Sequence, residues 1–220
     1  MAGRVKTRLA AELGAQQACD IHQAFLADLV AQFHGAGGRR FLCYAPDDEA
    51  ARAFFERLAG SHFGLWPQPE GDLGVRLQRF FDDHVQAADD LALVIGSDSP
   101  TLPAEYIDNA FSELARADCV IGPATDGGYY LIGMRGRTWP VFSGIEWGTG
   151  RVLEQTVERL RAAGARLAVL PVWYDVDTLA DWKFLKSHVQ ALDAAGSQMN
   201  LQATRQVLGL GTENLPAPVQ

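Results

Sequence analysis

Apolar residues recur at helical spacing from residue 7 onward. Leu9, Leu13, Cys19, Ile21, Phe25, Leu29 and Phe33 mark one long amphipathic helix or two, ended by Gly35-Ala36-Gly37-Gly38. The pattern then shortens to a strand over residues 39–45, a turn and cap at Pro46-Asp47-Asp48, and a helix over 49–58. A Gly/Pro-rich loop at 63–74 leads to a helix at 75–87, the strand Leu91-Ala92-Leu93-Val94-Ile95-Gly96, and a helix at 103–116. Strands follow at 118–121 and 129–134, a helix at 149–163, a strand at 166–172, and helices at 179–189 and 202–208. Such alternation predicts a three-layer α/β/α domain with a mostly parallel, mixed sheet, whose ligands bind beyond the carboxyl ends of the strands. No repeat, low-complexity tract or long linker divides the 220 residues, so a single domain over 1–220 is expected.

Composition narrows the function rather than the fold. With 48% hydrophobic and 21% charged residues the chain reads as globular. Its 19 basic and 27 acidic residues leave a formal charge of −8, which offers no field for holding nucleic acid and favours a small-molecule substrate. Cys19, Cys43 and Cys119 are odd in number, widely spaced and set in apolar runs, as free thiols of a reducing cytoplasm would be. The apolar run at 91–96 is too short to span a bilayer, and no signal-type segment opens the chain, so a cytoplasmic location is expected.

The strand at 91–96 opens directly into Ser97-Asp98-Ser99-Pro100. A carboxylate at a strand exit stands where a hard cation can bridge protein oxygens to substrate phosphates; the alternative is that Asp98 caps the helix near Pro103. A second acidic pair, Asp175 and Asp177, would project from one face of an extended segment and meet the same cation, or Asp177 or Thr178 would cap the helix that follows. Lys6 and Arg8, in Gly3-Arg4-Val5-Lys6-Thr7-Arg8-Leu9, put basic groups at a helix amino end, although the Walker A spacing is absent.

Three further loops carry polar and glycine residues. Gln68-Pro69-Glu70-Gly71-Asp72-Leu73-Gly74 feeds a helix, and Gly122-Pro123-Ala124-Thr125-Asp126-Gly127-Gly128-Tyr129-Tyr130 reads as a hairpin turn with Asp126 free to line a pocket. In Ser143-Gly144-Ile145-Glu146-Trp147-Gly148-Thr149, Thr149 is placed to cap a helix and Trp147 to form an apolar wall. Asp126 and Glu146 join Asp98 as candidate catalytic carboxylates. His22, His34, His62, His84 and His188 share no ligand spacing and receive no role.

Taken in order, the segments at 3–9, 71–74, 96–100, 122–133, 144–149 and 175–178 resemble the glycosyltransferase-A-like family known as radical-SAM/selenodomain-associated transferases, which is related to 2-phospholactate and molybdenum-cofactor guanylyltransferases. The resemblance implies a nucleotide-diphospho-sugar transferase fold and a Mg²⁺ or Mn²⁺ ion on Asp98 and Asp177. It implies phosphate and nucleotide contacts from Gly3, Arg4, Lys6, Arg8, Gln68, Gly71, Asp72, Gly74, Ser97 and Asp98. Gly127, Gly128, Tyr129 and Trp147 fall on its acceptor side. Glycosyl transfer from a nucleoside diphosphate sugar is favoured over nucleotidyl transfer, because residues 126–149 offer only Arg135 and Arg137 to an acceptor phosphate. A non-catalytic nucleotide-binding protein is the third reading. Relatives place an apolar strand ahead of the Gly3-Arg4-Val5-Lys6 segment, so the sheet is expected to lack its first strand, with weaker nucleotide binding and low stability or self-association; a homodimer is a further expectation.

Overall fold

The computed structural model describes residues 5–211. Gly3 and Arg4, both expected to touch nucleotide, lie outside the described residues. The chain forms two compact units, Met1–Phe33 with Ser97–Leu102 and Asp175–Gln220, and His34–Gly96 with Pro103–Tyr174.

The first unit is helical. α1 (Thr7–Leu13) and α2 (Ala15–Phe33) are separate helices, because Gly14 takes φ 91°, a left-handed conformation that interrupts the helix. Leu9, Ile21, Phe25 and Leu29 are buried, α1 packs on α2 and on α7 (Leu179–Ala194), and Phe25 meets Trp182 of α7. α8 (Gln202–Val207) packs on α2, and its free first-turn amides donate to the buried Asp28 carboxylate: Ala203 N at 3.0 Å and Thr204 N at 2.7 Å.

The second unit holds all the strands among the described residues. β1 (Phe41–Tyr44) and β2 (Gly64–Pro67) pair in parallel, joined through α3 (Glu49–Ala59), whose amino end is capped by Asp48 as expected. β2 lies inside the segment expected to be loop; its four residues are too few, and too rich in Gly and Pro, to show alternation. The larger sheet runs β3 (Leu91–Ile95), β5 (Tyr129–Arg135), β4 (Cys119–Pro123), β6 (Leu167–Val169). β5 is antiparallel to both neighbours and β4 parallel to β6, so the sheet is mixed.

Ala92, Cys119, Ile121, Ile132 and Met134 share one apolar cluster with Leu77, Phe80 and Phe81 of α4 (Leu73–His84) and Leu160 of α6 (Val152–Ala162). α5 (Ala104–Leu114) rests on β3, β4 and β5 but contributes nothing to that cluster, so it covers the opposite face. The unit is therefore a three-layer α/β/α sandwich. Cys19 and Cys119 are buried free thiols and Cys43 is half-buried; desolvation pushes the Cys43 and Cys119 thiols up to about 12.

Candidate functional site

Three residues beyond the end of β3, the Asp98 carboxylate accepts a hydrogen bond from Lys6 Nζ at 2.5 Å. The same ammonium donates to Val176 O at 2.7 Å and stands 3.8 Å from Asp177 Oδ1. Arg8, largely exposed, adds its guanidinium 3.9 Å from the other Asp177 oxygen. The backbone ties the two acidic loops together, since Val176 N donates to Asp98 O at 2.9 Å. Residues more than 160 positions apart thus converge on a Lys6 side chain that is only 2% exposed. A buried ammonium costs heavily unless charges and acceptors surround it. Here they do.

Of the capping alternatives, the one for Asp98 fails and the one for the helix after Asp177 holds through Thr178. Pro103 occupies the N-cap of α5 and no side chain bonds there, so Asp98 is not spent on that helix. Thr178, not Asp177, caps α7, in a reciprocal box with Asp181. Asp175 and Asp177, expected to project from one face, make different contacts. Asp175 accepts from the buried Ser99 hydroxyl at 2.5 Å, whereas Asp177 faces Lys6 and Arg8. Ser99 therefore braces the second acidic loop against the first.

Lys6 is the only non-glycine described residue with positive φ (47°, ψ 50°). A left-handed backbone costs an L-residue about 1–2 kcal/mol, and such strain persists where surrounding contacts over-determine it. The three contacts of the ammonium do so. His22 of α2 completes the cluster with Nδ1 3.9 Å from Asp98 Oδ1. That nitrogen is buried and has no hydrogen-bond partner. Burial pushes the His22 pKa below its ordinary value against the opposing pull of Asp98. Its place on the buried side of α2, one turn from Phe25, was the only signal available in the sequence.

The remaining candidates lie in the second unit. Asp126 is exposed in the β4–β5 turn and accepts from Gly128 N at 2.8 Å. Gly127, at φ 89°, lets that turn cross the next loop: a Cβ there would stand 2.3 Å from Gly150 O. Glu146 is held by Arg151 Nη1 and Gln155 Nε2, each at 2.9 Å. Thr149 is not a helix cap, contrary to expectation. Its hydroxyl donates to Glu146 O, and α6 begins after Arg151 with no side-chain cap.

Trp147 meets Tyr129 edge-on, and its indole N–H is buried without a hydrogen-bond partner. Asp72 caps α4 through Val75 N. Gly74 allows that helix to approach Phe142, whose carbonyl a Cβ would meet at 2.6 Å. Gln68 bonds Cys43 O and Arg76, and Gly71 O accepts from the same arginine. In this loop the polar groups bind one another and the neighbouring backbone. Ser97 precedes Asp98 and is half-buried.

The mixed sheet packed by helices on both faces matches the nucleotide-diphospho-sugar transferase fold by comparison with a solved structure. The crystal structure of a protein from Desulfovibrio desulfuricans G20, provisionally named a nucleotide-diphospho-sugar transferase, is similar at a TM-score of 0.80 and 32% identity, over 94% of this chain and 91% of that one. The chain belongs to the DUF2064 family, described as uncharacterized proteins conserved in bacteria, which it matches over residues 29–149. No protein of curated function matches it. No described helix is long and apolar enough to cross a membrane.

Proposed function

We propose that the protein is a divalent-metal-dependent transferase that uses a nucleoside diphosphate sugar and passes the sugar to a small-molecule acceptor. The observation that carries this reading is the convergence of Asp98 and Asp177 on one buried cationic centre just past β3. Among the described residues no three His, Cys, Asp or Glu groups already stand at coordinating spacing. The point on which the two carboxylates converge is taken by the Lys6 ammonium. A site that holds one cation between two carboxylates has the donor chemistry for another, so the residues fit Mg²⁺ or Mn²⁺.

A bound metal ion would supply charge neutralisation for the diphosphate leaving group. Asp98 and Asp177 would hold it. Lys6, released from the carboxylates, would turn its ammonium to phosphate oxygens, and Arg8, already near the surface, would meet the outer ones. In the transfer, the bond from the sugar's anomeric carbon to the β-phosphate oxygen breaks, a bond to the acceptor heteroatom forms, and the acceptor's proton is lost to a base or solvent.

A thermal-shift and calorimetric panel of nucleoside diphosphate sugars and nucleoside triphosphates, with and without Mn²⁺, tests the reading. One diphosphate sugar should stabilise the protein only with metal, and Asp98→Ala should abolish the shift. Metal-independent binding that survives Asp98→Ala would sink it. Selective stabilisation by a triphosphate would instead move the assignment to nucleotidyl transfer.

A further inference from the structure

The acidic centre already holds a cation, and that cation is tethered to the chain. Lys6 Nζ donates to Asp98 Oδ1 at 2.5 Å and to Val176 O at 2.7 Å, with Asp177 Oδ1 3.8 Å away and the centre of the Phe25 ring at 5.0 Å. Two carboxylates, a carbonyl and an aromatic face suit an ammonium, with its three donors and single charge. They do not suit a divalent ion as they stand. Mg²⁺ demands near-ideal octahedral oxygen ligands, and among the described residues no three His, Cys, Asp or Glu groups stand at coordinating spacing. The backbone of Lys6 is held in the left-handed region at φ 47°, so its contacts keep the side chain in place against local strain. With Lys6 in position the lining fits an ammonium and not a metal.

Exposure separates the lysine from its partners. The Lys6 side chain is 2% exposed, whereas those of Asp98 and Asp177 are 37% and 35% exposed. Solvent thus reaches both carboxylates but not the ammonium they enclose. A divalent ion arriving alone would have to expel that ammonium without offering it another anion, so its charge-assisted bonds would be lost. The tether then holds the displaced ammonium close, and it competes at high effective concentration. A diphosphate changes the balance, because its oxygens give Lys6 and the neighbouring Arg8 new charge-assisted partners. Resting on the metal-dependent reading above, we infer that Lys6 is a latch: in the free protein it keeps divalent ions out of the Asp98 and Asp177 centre, and it opens only when a diphosphate draws its ammonium away. Metal and diphosphate then bind with positive coupling, which linkage makes reciprocal. The left-handed backbone favours release, since Lys6 freed from its partners can relax to an ordinary conformation.

Water-proton relaxation tests this on the full chain, because it responds strongly to Mn²⁺ held on the slowly tumbling protein and little to Mn²⁺ held by free nucleotide. Mn²⁺ is titrated alone and then with adenosine, cytidine, guanosine, thymidine and uridine diphosphate in turn. Wild-type protein should bind Mn²⁺ weakly alone, and about tenfold more tightly or better with at least one diphosphate, within the usual range of coupling between ligand sites. Lys6→Met keeps the stem and removes the charge. It should bind Mn²⁺ alone about tenfold more tightly than wild type, and added diphosphate should change that by less than about twofold. A lysine that only contacted phosphate would leave the binding of Mn²⁺ alone unchanged in Lys6→Met. The wild-type titrations do not depend on how the variant folds. Tight Mn²⁺ binding by wild-type protein alone, unaltered by every diphosphate, or no gain in a folded Lys6→Met, would overturn the latch. If Asp98→Ala abolished Mn²⁺ binding in that case, the metal-dependent reading would stand without it. Absence of Mn²⁺ binding in every mixture, or binding indifferent to Asp98→Ala, would remove both.

Discussion

The two units of this protein hold themselves together by different means. The strand-bearing unit is built around an apolar cluster of sheet and helix residues, with Phe81 stacked on Phe142 at 5.8 Å. The smaller helical unit contains five of the seven buried polar side chains among the described residues: Asp28, Ser99, Thr101, Thr204 and Arg205. It also carries the Lys6, Asp98, Asp177 and His22 cluster and the ion pair of Arg205 with Asp193. Apolar packing is non-directional and tolerates conservative exchange. Buried charges tolerate little, because each depends on particular partners at particular distances. The lesson is a division of labour: one unit supplies most of the buried apolar residues, the other spends part of its interior on buried polar and charged groups.

The contrast can be broken at several points, the largest effect first. Phe81→Ala removes a fully buried ring from the apolar cluster and should cost about 3–5 kcal/mol in urea denaturation. A loss below about 1 kcal/mol would mean that this cluster is not what carries the strand-bearing unit. Asp28→Ala leaves the buried Thr204 amide and the part-buried Ala203 amide unpaired, and should cost about 1–3 kcal/mol, with faster hydrogen exchange in α8. An unchanged α8 would show that the helical unit does not rely on its buried charge.

Asp118→Asn probes a charge pair within the strand-bearing unit and should have the smallest effect, because its partner is exposed. Arg166, bonded to both Asp118 oxygens through Nε and Nη2, holds the carboxyl below its ordinary value of 3.8. A depressed folded-state pKa adds stability that is present above the unfolded value and is lost as pH falls through the folded one. The melting-temperature gap between wild type and variant should therefore be seen at pH 5–7 and close on acidification below about pH 4. A gap that persists or widens in acid would show that Asp118 acts through packing alone.

Much of the fold was legible along the chain. β3 and α4 announce themselves by their apolar period, and Asp48 and Thr178 by their place ahead of helices that they do cap. β2 was not legible, because four residues bounded by Gly64 and Pro67 carry too little pattern. The site divides in the same way. Asp98 and Lys6 could be singled out from a strand exit and a basic helix start. The different contacts of Asp175 and Asp177 could not, since both fit an extended strand equally well and the Ser99 hydroxyl and the Lys6 ammonium that they meet come from distant parts of the chain.

By itself the sequence determined the alternation of strands and helices, the free thiols and the candidate acidic loops. These depend on periodicity, spacing and local chemistry, all of which are properties of neighbouring residues. Only the tertiary structure decided that Lys6 sits among Asp98, Val176 and Asp177 in a left-handed backbone, and that His22, assigned no role from spacing, turns a buried nitrogen toward them. Such encounters between residues distant in the chain are set by how the helices and loops pack, which no local pattern encodes.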